Sequence, residues 1–398
     1  MHPNVPHLRF PEFHGEWEKC KLGDIAILTK GSGISKDQRS ATGTPCILYG
    51  ELYTTYKSEV IDYVVSKTDI SDKNLVRSCA NDIIIPSSGE TAIDISTARC
   101  VLSPDVLLGG DLNIIRLKDG DGRFFSYQLN GVRKYDIAKI AQGVSVVHLY
   151  GESIKGLTVS FPSNKEQQKI STLLSLIDER IATQSKLIEK LESLIKGIMV
   201  ELQKQGVNKG TWKKVFLSDV LTERNERNTN LFQVFSVSVS QGIVNQVDYL
   251  GRSFAAKDTS KYNVVHYGDL VYTKSPTGSF PYGIVKQSLS LENVAVSPLY
   301  GVYKPQSLAV GAYLHEYFMS EINTHNYLHP LIQKGAKNTI NITNQRFLEN
   351  CVLLPTNINE LLQISKLLRS LNNKIKYQQD ILQQYQKQKK YLLRQMFI

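Results

Sequence analysis

The sequence predicts an α+β protein: two globular α/β domains separated by two long helices that form an antiparallel coiled coil, with a pseudo-two-fold internal repeat. The first observation is that EQQKISTLLSLIDERI (166–181) returns as ELLQISKLLRSLNNKI (360–375), aligning Ile170 with Ile364 at an offset of 364 − 170 = 194. The second is that WEKCKLGDI (17–25) returns as WKKVFLSDV (212–220) at an offset of 212 − 17 = 195. Because these echoes keep their order along the chain, they predict a repeat that covers most of it.

The repeat divides the chain into four segments. We predict a first globular domain at 1–160, a central spacer helix at 161–205, a second globular domain at 206–354 and a C-terminal spacer helix at 355–398. A weaker echo between ANDIIIPSS (80–88) and YGDLVYTKS (267–275) lies inside the two globular domains. The 398 residues exceed the ~100–200 of a typical domain, and the hydrophobic fraction of 41% is enough for two cores.

Each predicted helix carries apolar residues in alternating steps of three and four, which is typical of a heptad seam. The first seam consists of Ile170, Leu174, Ile177, Ile181, Ile188, Leu191, Ile195, Ile198 and Leu202, and the second of Ile364, Leu368, Leu371, Ile375, Leu382, Tyr385, Leu392 and Met396. The polar residues Gln184, Gln378 and Lys389 interrupt these seams. Because the chain returns from the first helix through a compact domain, we expect the two helices to pair in antiparallel orientation. The alternative of two ordinary core helices fits their length poorly, since globular helices average ~11–12 residues.

Composition limits the class of protein and of partner. A net charge of +10 and a pI near 9.1 favour a polyanionic partner, because lysine and arginine neutralise phosphates. No apolar run approaches the ~18 residues that span a membrane, and the N-terminus lacks a signal-peptide pattern, so we expect a cytoplasmic protein without membrane contact. The five cysteines form no C-x-x-C pair, and we interpret them as buried thiols.

Enzyme motifs fail at the residues that their chemistry needs. Leu157 stands where a phosphate-binding loop requires lysine, and Arg116 stands where a nuclease would need a metal-binding carboxylate. His325 and His329 are one helical turn apart but have no glutamate between them. The sequence therefore predicts no catalytic residue, no metal site and no cofactor in this chain.

Candidate nucleic-acid contacts follow the short apolar strands of both globular domains. The strands in IIIPSS and VYTKS end in hydroxyl residues that can contact phosphates or bases, and RNERN (224–228) carries the side chains that read guanine and adenine edges. The candidates are Lys30, Arg39, Ser87, Ser88 and Arg99 in the first domain, and Arg224, Arg227, Lys274, Ser275 and Lys337 in the second. The same segments are equally compatible with surface turns and solvated loops.

Two longer motifs resemble a known family. The opening LRFPEFHGEWEKCKLGDI (8–25) and the central FPSNKEQQKISTLLSLIDERI (161–181) are similar to the start and the spacer of specificity subunits of type I restriction-modification systems. The resemblance covers essentially the whole chain. One departure is that Leu361 and Leu362 stand where the first helix entry has polar residues.

The resemblance implies that each globular domain is a target-recognition domain that reads one half of a split site in double-stranded DNA. It also implies that the helices space these domains and dock two methyltransferase subunits, and that restriction and translocase subunits join through the complex. The candidate partner contacts on the helices are Gln167, Gln168, Leu173, Leu367 and Tyr391. S-adenosylmethionine, ATP and Mg²⁺ are then expected on the partners.

Two other functions are compatible with the sequence. One is a stand-alone DNA-binding or scaffolding protein of the same architecture, which would purify alone from its host. The other is an enzyme with an unrecognised site, which would have to methylate or cleave DNA by itself.

Overall fold

The computed structural model describes residues 4–71, 74–334 and 340–398. The chain forms two compact units, the first of Met1–Ser185 with Asp380–Ile398 and the second of Lys186–Gln379. The two long helices span Asn164–Asn208 and Ile358–Gln395, about three residues later at their starts than the predicted 161 and 355. Pro162 and Pro355 precede these starts and favour extended backbone before them. The division between units falls inside both helices, so each unit contains part of each helix.

The first unit is built on a five-stranded sheet. In spatial order its strands are Ala26–Lys30, Leu112–Leu117, Asp82–Pro86, Arg99–Val101 and Val60–Ile61. Smaller sheets join Glu18–Lys21 to Thr158–Phe161, Ser88–Gly89 to Val147–His148, and Ser66–Thr68 to Thr44–Ile47 and Leu107–Leu108. Short helices span Leu22–Ile25, Lys36–Gln38, Glu51–Thr54, Ala92–Ile95, Gly122–Asn130, Lys134–Ile140 and Gly151–Lys155.

The second unit is built on a four-stranded sheet. In spatial order its strands are Leu221–Glu223, Gly301–Pro305, Leu270–Tyr272 and Val285–Gln287. Smaller sheets pair Trp212–Phe216 with Cys351–Pro355, Phe235–Ser238 with Gly242–Asn245, Asn263–Val265 with Val294–Val296, and Gln333–Lys334 with Ile340–Asn341. Short helices span Leu217–Val220, Gln246–Leu250, Leu308–Tyr317, Glu321–Leu328, His329–Leu331 and Asn344–Phe347.

The two main sheets confirm the internal repeat. The four strands of the second sheet follow the same spatial order as the first four strands of the first sheet. Their registers also agree: Ile84 lies opposite Arg99 and Val271 lies opposite Lys286, so both residues of the pair shift by 187 positions. We call this shared sheet and its flanking helices the frame of each unit.

The segments between the first and third strands of each frame fold differently. In the first unit the segment 31–81, here the first insert, contains a helical turn at Glu51–Thr54 and two strands of the three-stranded sheet. In the second unit the segment 224–268, here the second insert, contains the hairpin Phe235–Ser238 and Gly242–Asn245. One frame therefore carries two different inserts at the same place in the chain.

The long helices bury the predicted seams. The buried seam residues are Ile170, Leu174, Ile177, Ile188, Leu191 and Ile195 on the first helix, and Ile364, Leu368, Ile375, Leu392 and Met396 on the second. At the end of the first helix Met199 is buried instead of the predicted Ile198, because the step after Ile195 is four residues and not three.

The antiparallel pairing is confirmed within each unit. In the first unit Asp178 of the first helix lies 2.5 Å from Lys389 of the second, and Leu392 joins the core that contains Leu174. In the second unit the Trp212 ring lies against Gly206, near the end of the first helix, and its indole N–H donates to Glu360, near the start of the second, at 2.8 Å. The early part of one helix therefore meets the late part of the other.

Candidate nucleic-acid interface

One end of each main sheet gathers several of the candidate residues. Lys30 lies opposite Asn113 and Pro86 lies opposite Leu112, so Lys30 and Ser87 flank the same end of the strand Leu112–Leu117. Both inserts leave their frames at the corresponding end of the sheet, because they follow the strands Ala26–Lys30 and Leu221–Glu223. Target-reading side chains on the inserts would therefore be supported by a rigid sheet end.

A buried aspartate begins the third strand of both frames. Asp82 and Asp269 are each 1% exposed, are 187 positions apart, and accept a backbone N–H from the residue three positions earlier. Asp82 accepts two hydrogen bonds from Arg116, at 2.8 and 2.7 Å, whereas Asp269 accepts two from Arg224, at 2.6 and 3.0 Å. Arg116 lies on the frame strand Leu112–Leu117, whereas Arg224 is the first residue of the second insert, so the two units pair the equivalent buried carboxylate with arginines from different places.

This geometry corrects the prediction that Arg224 reads a base edge. Its Nε and Nη2 groups, which would bond a guanine bidentately, are both bonded to the Asp269 carboxylate. Its remaining terminal nitrogen lies 3.6 Å from Glu226, which in turn lies 2.6 Å from His266. Arg224 therefore holds the start of the second insert to the frame.

Arg99 and Ser88 are also corrected as DNA contacts, because the structure buries both. Arg99 is 8% exposed, and its guanidinium donates to the carbonyls of Leu52, Tyr56 and Ala98. Ser88 is 9% exposed and lies in a strand paired with Val147–His148. Neither side chain is free to meet a base or a phosphate.

The remaining described candidates are accessible to different degrees. Lys30, Arg39, Arg227 and Ser275 are exposed, while Ser87 and Lys274 are half-buried. Arg39 lies 3.7 Å from Glu51, and Arg227 donates to Asn263 at 2.6 Å, so each arginine is oriented by a single neighbouring side chain. Lys337 lies outside the residues that the structure describes.

Lys274 combines backbone strain with a perturbed amine. Its φ of +60° is in the left-handed region, which a residue with a side chain rarely adopts. Burial lowers the pKa of Lys274, and the charge of Glu223 opposes that shift. Strained residues of this kind cluster at ligand-binding sites, and Lys274 stands at the sheet end described above.

The described ranges contain no group of three or more histidine, cysteine, aspartate or glutamate side chains arranged to hold a metal ion. Within the same residues, every helix is either too short or too polar to cross a lipid bilayer.

Comparison with known proteins shows which family the chain resembles. Residues 14–193 match the model of the type I restriction modification DNA specificity domain. This part of the chain is therefore similar to the specificity domain of type I restriction-modification systems. The matched residues cover the first frame, the first insert and the first 30 of the 45 residues of the central helix.

Members of this specificity family in Methanocaldococcus jannaschii are similar to the chain. The type I restriction enzyme MjaVIII specificity subunit is 25% identical over 210 residues, which are 50% of this chain and 45% of that protein. The putative type I restriction enzyme MjaX specificity subunit is 26% identical over 217 residues, covering 51% and 49% of the two chains. The chain thus spans about half the length of the curated relatives that it matches.

A solved specificity-family structure shares the fold over the full length. The S subunit of a type I restriction-modification system from M. genitalium aligns with a TM-score of 0.66 and 15% identity, covering 99% of each chain. At this identity the likeness establishes the fold alone.

The specificity-family resemblance also suggested partner contacts on the helices, and the structure separates them by exposure. Gln168, Leu367 and Tyr391 are exposed and Leu173 is half-buried. Gln167 is only 2% exposed; its amide donates to the Pro162 carbonyl and accepts from the Asp121 backbone N–H. The prediction for Gln167 is therefore corrected to a structural role. Leu361, at the equivalent position of the second helix, is likewise buried at 5%.

Sequence reasoning missed the most specific feature of the frames, the buried aspartates. Their signal was present in the echo of ANDIII with YGDLVY, where Asp82 and Asp269 align. The buried cation Lys286, which aligns with Arg99, was also missed. A charged residue in a predicted strand usually indicates a solvent-exposed face, so its burial was not expected.

Proposed function

We propose that the chain is the DNA sequence-specificity subunit of a type I restriction-modification complex. Each unit reads one half of a bipartite site in double-stranded DNA, and the long helices hold the two units and dock two methyltransferase subunits. The observation that carries this proposal is one frame supporting two different inserts. Two different inserts on one scaffold match the need to read two different half-sites in the same way.

Charge supports DNA as the ligand. The excess of ten positive charges divides as two in the first unit and eight in the second, so the second unit offers the stronger electrostatic attraction to phosphates. Lys30, Arg39 and Ser87 serve the first half-site in this proposal, and Arg227, Lys274 and Ser275 serve the second. Arg39 and Arg227 lie within the inserts, where sequence-reading side chains are expected, and the other four residues lie at or just after the ends of frame strands.

In this proposal the partner subunits carry out the catalytic reactions. Methylation requires S-adenosylmethionine, and translocation with cleavage requires ATP and Mg²⁺, so these ligands belong to the methyltransferase, restriction and translocase subunits. Exposed positions on both helices, Gln168, Leu367 and Tyr391, together with the half-buried Leu173, offer similar docking surfaces for two copies of one partner.

The proposal is tested by mapping methylated sites in cells that carry this chain with its partner subunits. We expect a bipartite target, and we expect Arg227→Ala to relax one half of it while the other half keeps its sequence. A base-edge contact contributes ~1–3 kcal/mol of discrimination, whereas loss of a phosphate contact weakens all sequences equally. Lys213→Ala is the matched control, because Lys213 is exposed on the strand Trp212–Phe216, which lies outside the main sheet and the insert. A continuous target, or methyl transfer by the purified chain alone, would contradict the proposal.

Spacer length offers a second test. Inserting four residues after Gln184 lengthens the central helix by ~6 Å and adds about one helical turn. Because DNA advances ~3.4 Å per base pair, the gap between half-sites should grow by about one to two base pairs while both halves keep their sequences. An unchanged gap in the methylation map would mean that the helix does not set the spacing.

A further inference from the structure

Arg99 and Lys286 occupy the same place in the two frames. They pair with Ile84 and Val271 in equivalent registers, on strands that lie at the same position of each sheet. Both are buried, at 8% and 3% exposure. Burying a cation in a core carries an unfavourable desolvation free energy, which an apolar residue of similar size would not carry.

Each buried cation bonds to the backbone of its own insert. Arg99 donates to the Leu52 carbonyl at 3.1 Å, inside the helical turn Glu51–Thr54 of the first insert, and to the Tyr56 carbonyl at 3.0 Å, just after that turn. Lys286 donates to the Val239 carbonyl at 2.6 Å, at the turn of the hairpin in the second insert. The cation is common to both units, while the structure that it holds differs.

Each cation is also linked to a long helix through an acidic residue. In the first unit Glu59 and Asp178 act on Arg99 electrostatically, and both carboxylates contact Lys389. Asp178 also accepts from the Tyr127 hydroxyl at 2.8 Å.

In the second unit Glu316 acts on Lys286 electrostatically and accepts from Asn372 at 2.5 Å. Asp178 and Asn372 are 194 positions apart, which is the offset that aligns the two helices. In both units, therefore, an acidic side chain that acts electrostatically on the cation also lies on or contacts the long helix, and the helix residues concerned, Asp178 and Asn372, are at equivalent positions.

We infer that Arg99 and Lys286 are positioning residues for target reading, each fixing its insert relative to the frame and the long helix of its own unit. This inference rests on the proposed function. Their donors bond to carbonyls of the inserts, so they act on DNA only through the inserts that they hold. Loss of one cation should blur the half-site of its own unit and leave the other half-site unchanged.

Lys286 provides a pH test that Arg99 does not. Burial lowers the pKa of Lys286 to about 8, and the negative charge of Glu316 opposes that shift. On the same helix, burial lowers the pKa of His315 to about 3, so this ring stays neutral near pH 8. The hairpin residues 235–245 contain no ionisable side chain. The neighbouring strand Leu270–Tyr272 contributes only Tyr272, and burial raises the pKa of its hydroxyl above the usual value.

The direction of the pH effect separates positioning from stability. The folded-state pKa of Lys286 lies below its unfolded value, so its contribution to the free energy of unfolding rises with pH between about 8 and 10.5. Its charge-assisted hydrogen bond to Val239 weakens over the same rise, because the amine becomes neutral. Second-half-site discrimination should therefore fall as pH rises through 8, without a loss of stability from this group.

The experiment uses the assembled complex with its methyltransferase subunits and DNA libraries randomised in one half-site at a time. We expect Lys286→Met to reduce second-half discrimination by about ten-fold and Arg99→Met to do the same for the first half. Lys286→Arg should restore discrimination and remove its decline between pH 7 and 9. Thermal unfolding of each complex checks folding, and the pH series on the unmodified protein replaces any variant that fails to fold.

The outcomes distinguish the two proposals. If the unmodified complex reads no bipartite site, the proposed function fails. If it does, but Lys286→Met leaves the second half intact, or blurs both halves equally, or discrimination of the unmodified complex is flat between pH 7 and 9, the positioning role is overturned while the proposed function stands.

Discussion

In the first insert, carbonyls in and just after a helical turn accept hydrogen bonds from the Arg99 guanidinium. In the second insert, a carbonyl at the turn of a β-hairpin accepts a hydrogen bond from the Lys286 amine. The strands beneath them keep the same order and register. The difference teaches where this architecture tolerates change. An inner frame strand, such as Asp82–Pro86 or Leu270–Tyr272, pairs with two neighbours and is buried throughout, so few sequences suit it, while an insert needs only a few fixed attachment points.

The core of the first unit also includes residues from the end of the second long helix, and this leads to the largest predicted effect. Phe397 is 2% exposed, and its ring lies 5.1 Å from Phe124 and 6.5 Å from Trp17 between ring centroids. Phe397→Ala should lower the free energy of unfolding by ~3–5 kcal/mol, because it leaves a cavity in the first core. Denaturant unfolding with hydrogen exchange would locate the loss.

Tyr391→Ala is the control for that substitution, since Tyr391 is 58% exposed on the same helix and should change stability by less than ~0.5 kcal/mol. Protection should be lost in the first unit and retained in the second. Equal loss in both units would mean that they unfold as one.

The buried aspartates give the next effect. Asp269→Asn should destabilise the protein by ~2–3 kcal/mol, because it removes two charge-assisted hydrogen bonds and leaves Arg224, whose side chain is 20% exposed, without its partner. Asp82→Asn should cost less, ~1–2 kcal/mol, because Arg116 is 43% exposed and regains water more readily. Chemical denaturation of both variants measures the order, and a larger loss for Asp82→Asn would contradict it.

The smallest effect concerns two equivalent tryptophans. The Trp212 indole N–H donates to Glu360, whereas no described side chain or carbonyl accepts from the buried indole N–H of Trp17. Both substitutions to phenylalanine remove similar volume, so Trp212→Phe should cost ~1 kcal/mol more than Trp17→Phe. Matched thermal unfolding curves test this, and equal shifts would show that the Glu360 bond contributes nothing net.

Much of the fold could be predicted because the sequence contains an internal repeat. A single heptad pattern is common, but the aligned echoes at Ile170 and Ile364 predicted both helices and their common phase. Helix starts were less certain, since Pro162 and Pro355 mark a boundary without fixing the first helical residue.

The candidate site was predicted less well, because residue type does not reveal burial. Arg99 and Arg224 have the chemistry of base-reading residues, but their donors are used by insert carbonyls and by Asp269. These bonds join residues about 45 positions apart in sequence, and no local pattern specifies such partners. Lys30 and Arg227 are exposed, and their role in DNA reading stays a prediction.

The packing of Leu392, Met396 and Phe397 into the first core has a consequence for synthesis on the ribosome. Trp17, which belongs to this core, emerges early, but Leu392 follows 392 − 17 = 375 positions later. The second unit needs only Lys186–Gln379 and is complete sooner. The nascent chain should therefore finish its second unit first and keep an unfinished apolar surface on its first until Leu392, Met396 and Phe397 have emerged, and during that interval aggregation or chaperone binding would compete most strongly with folding.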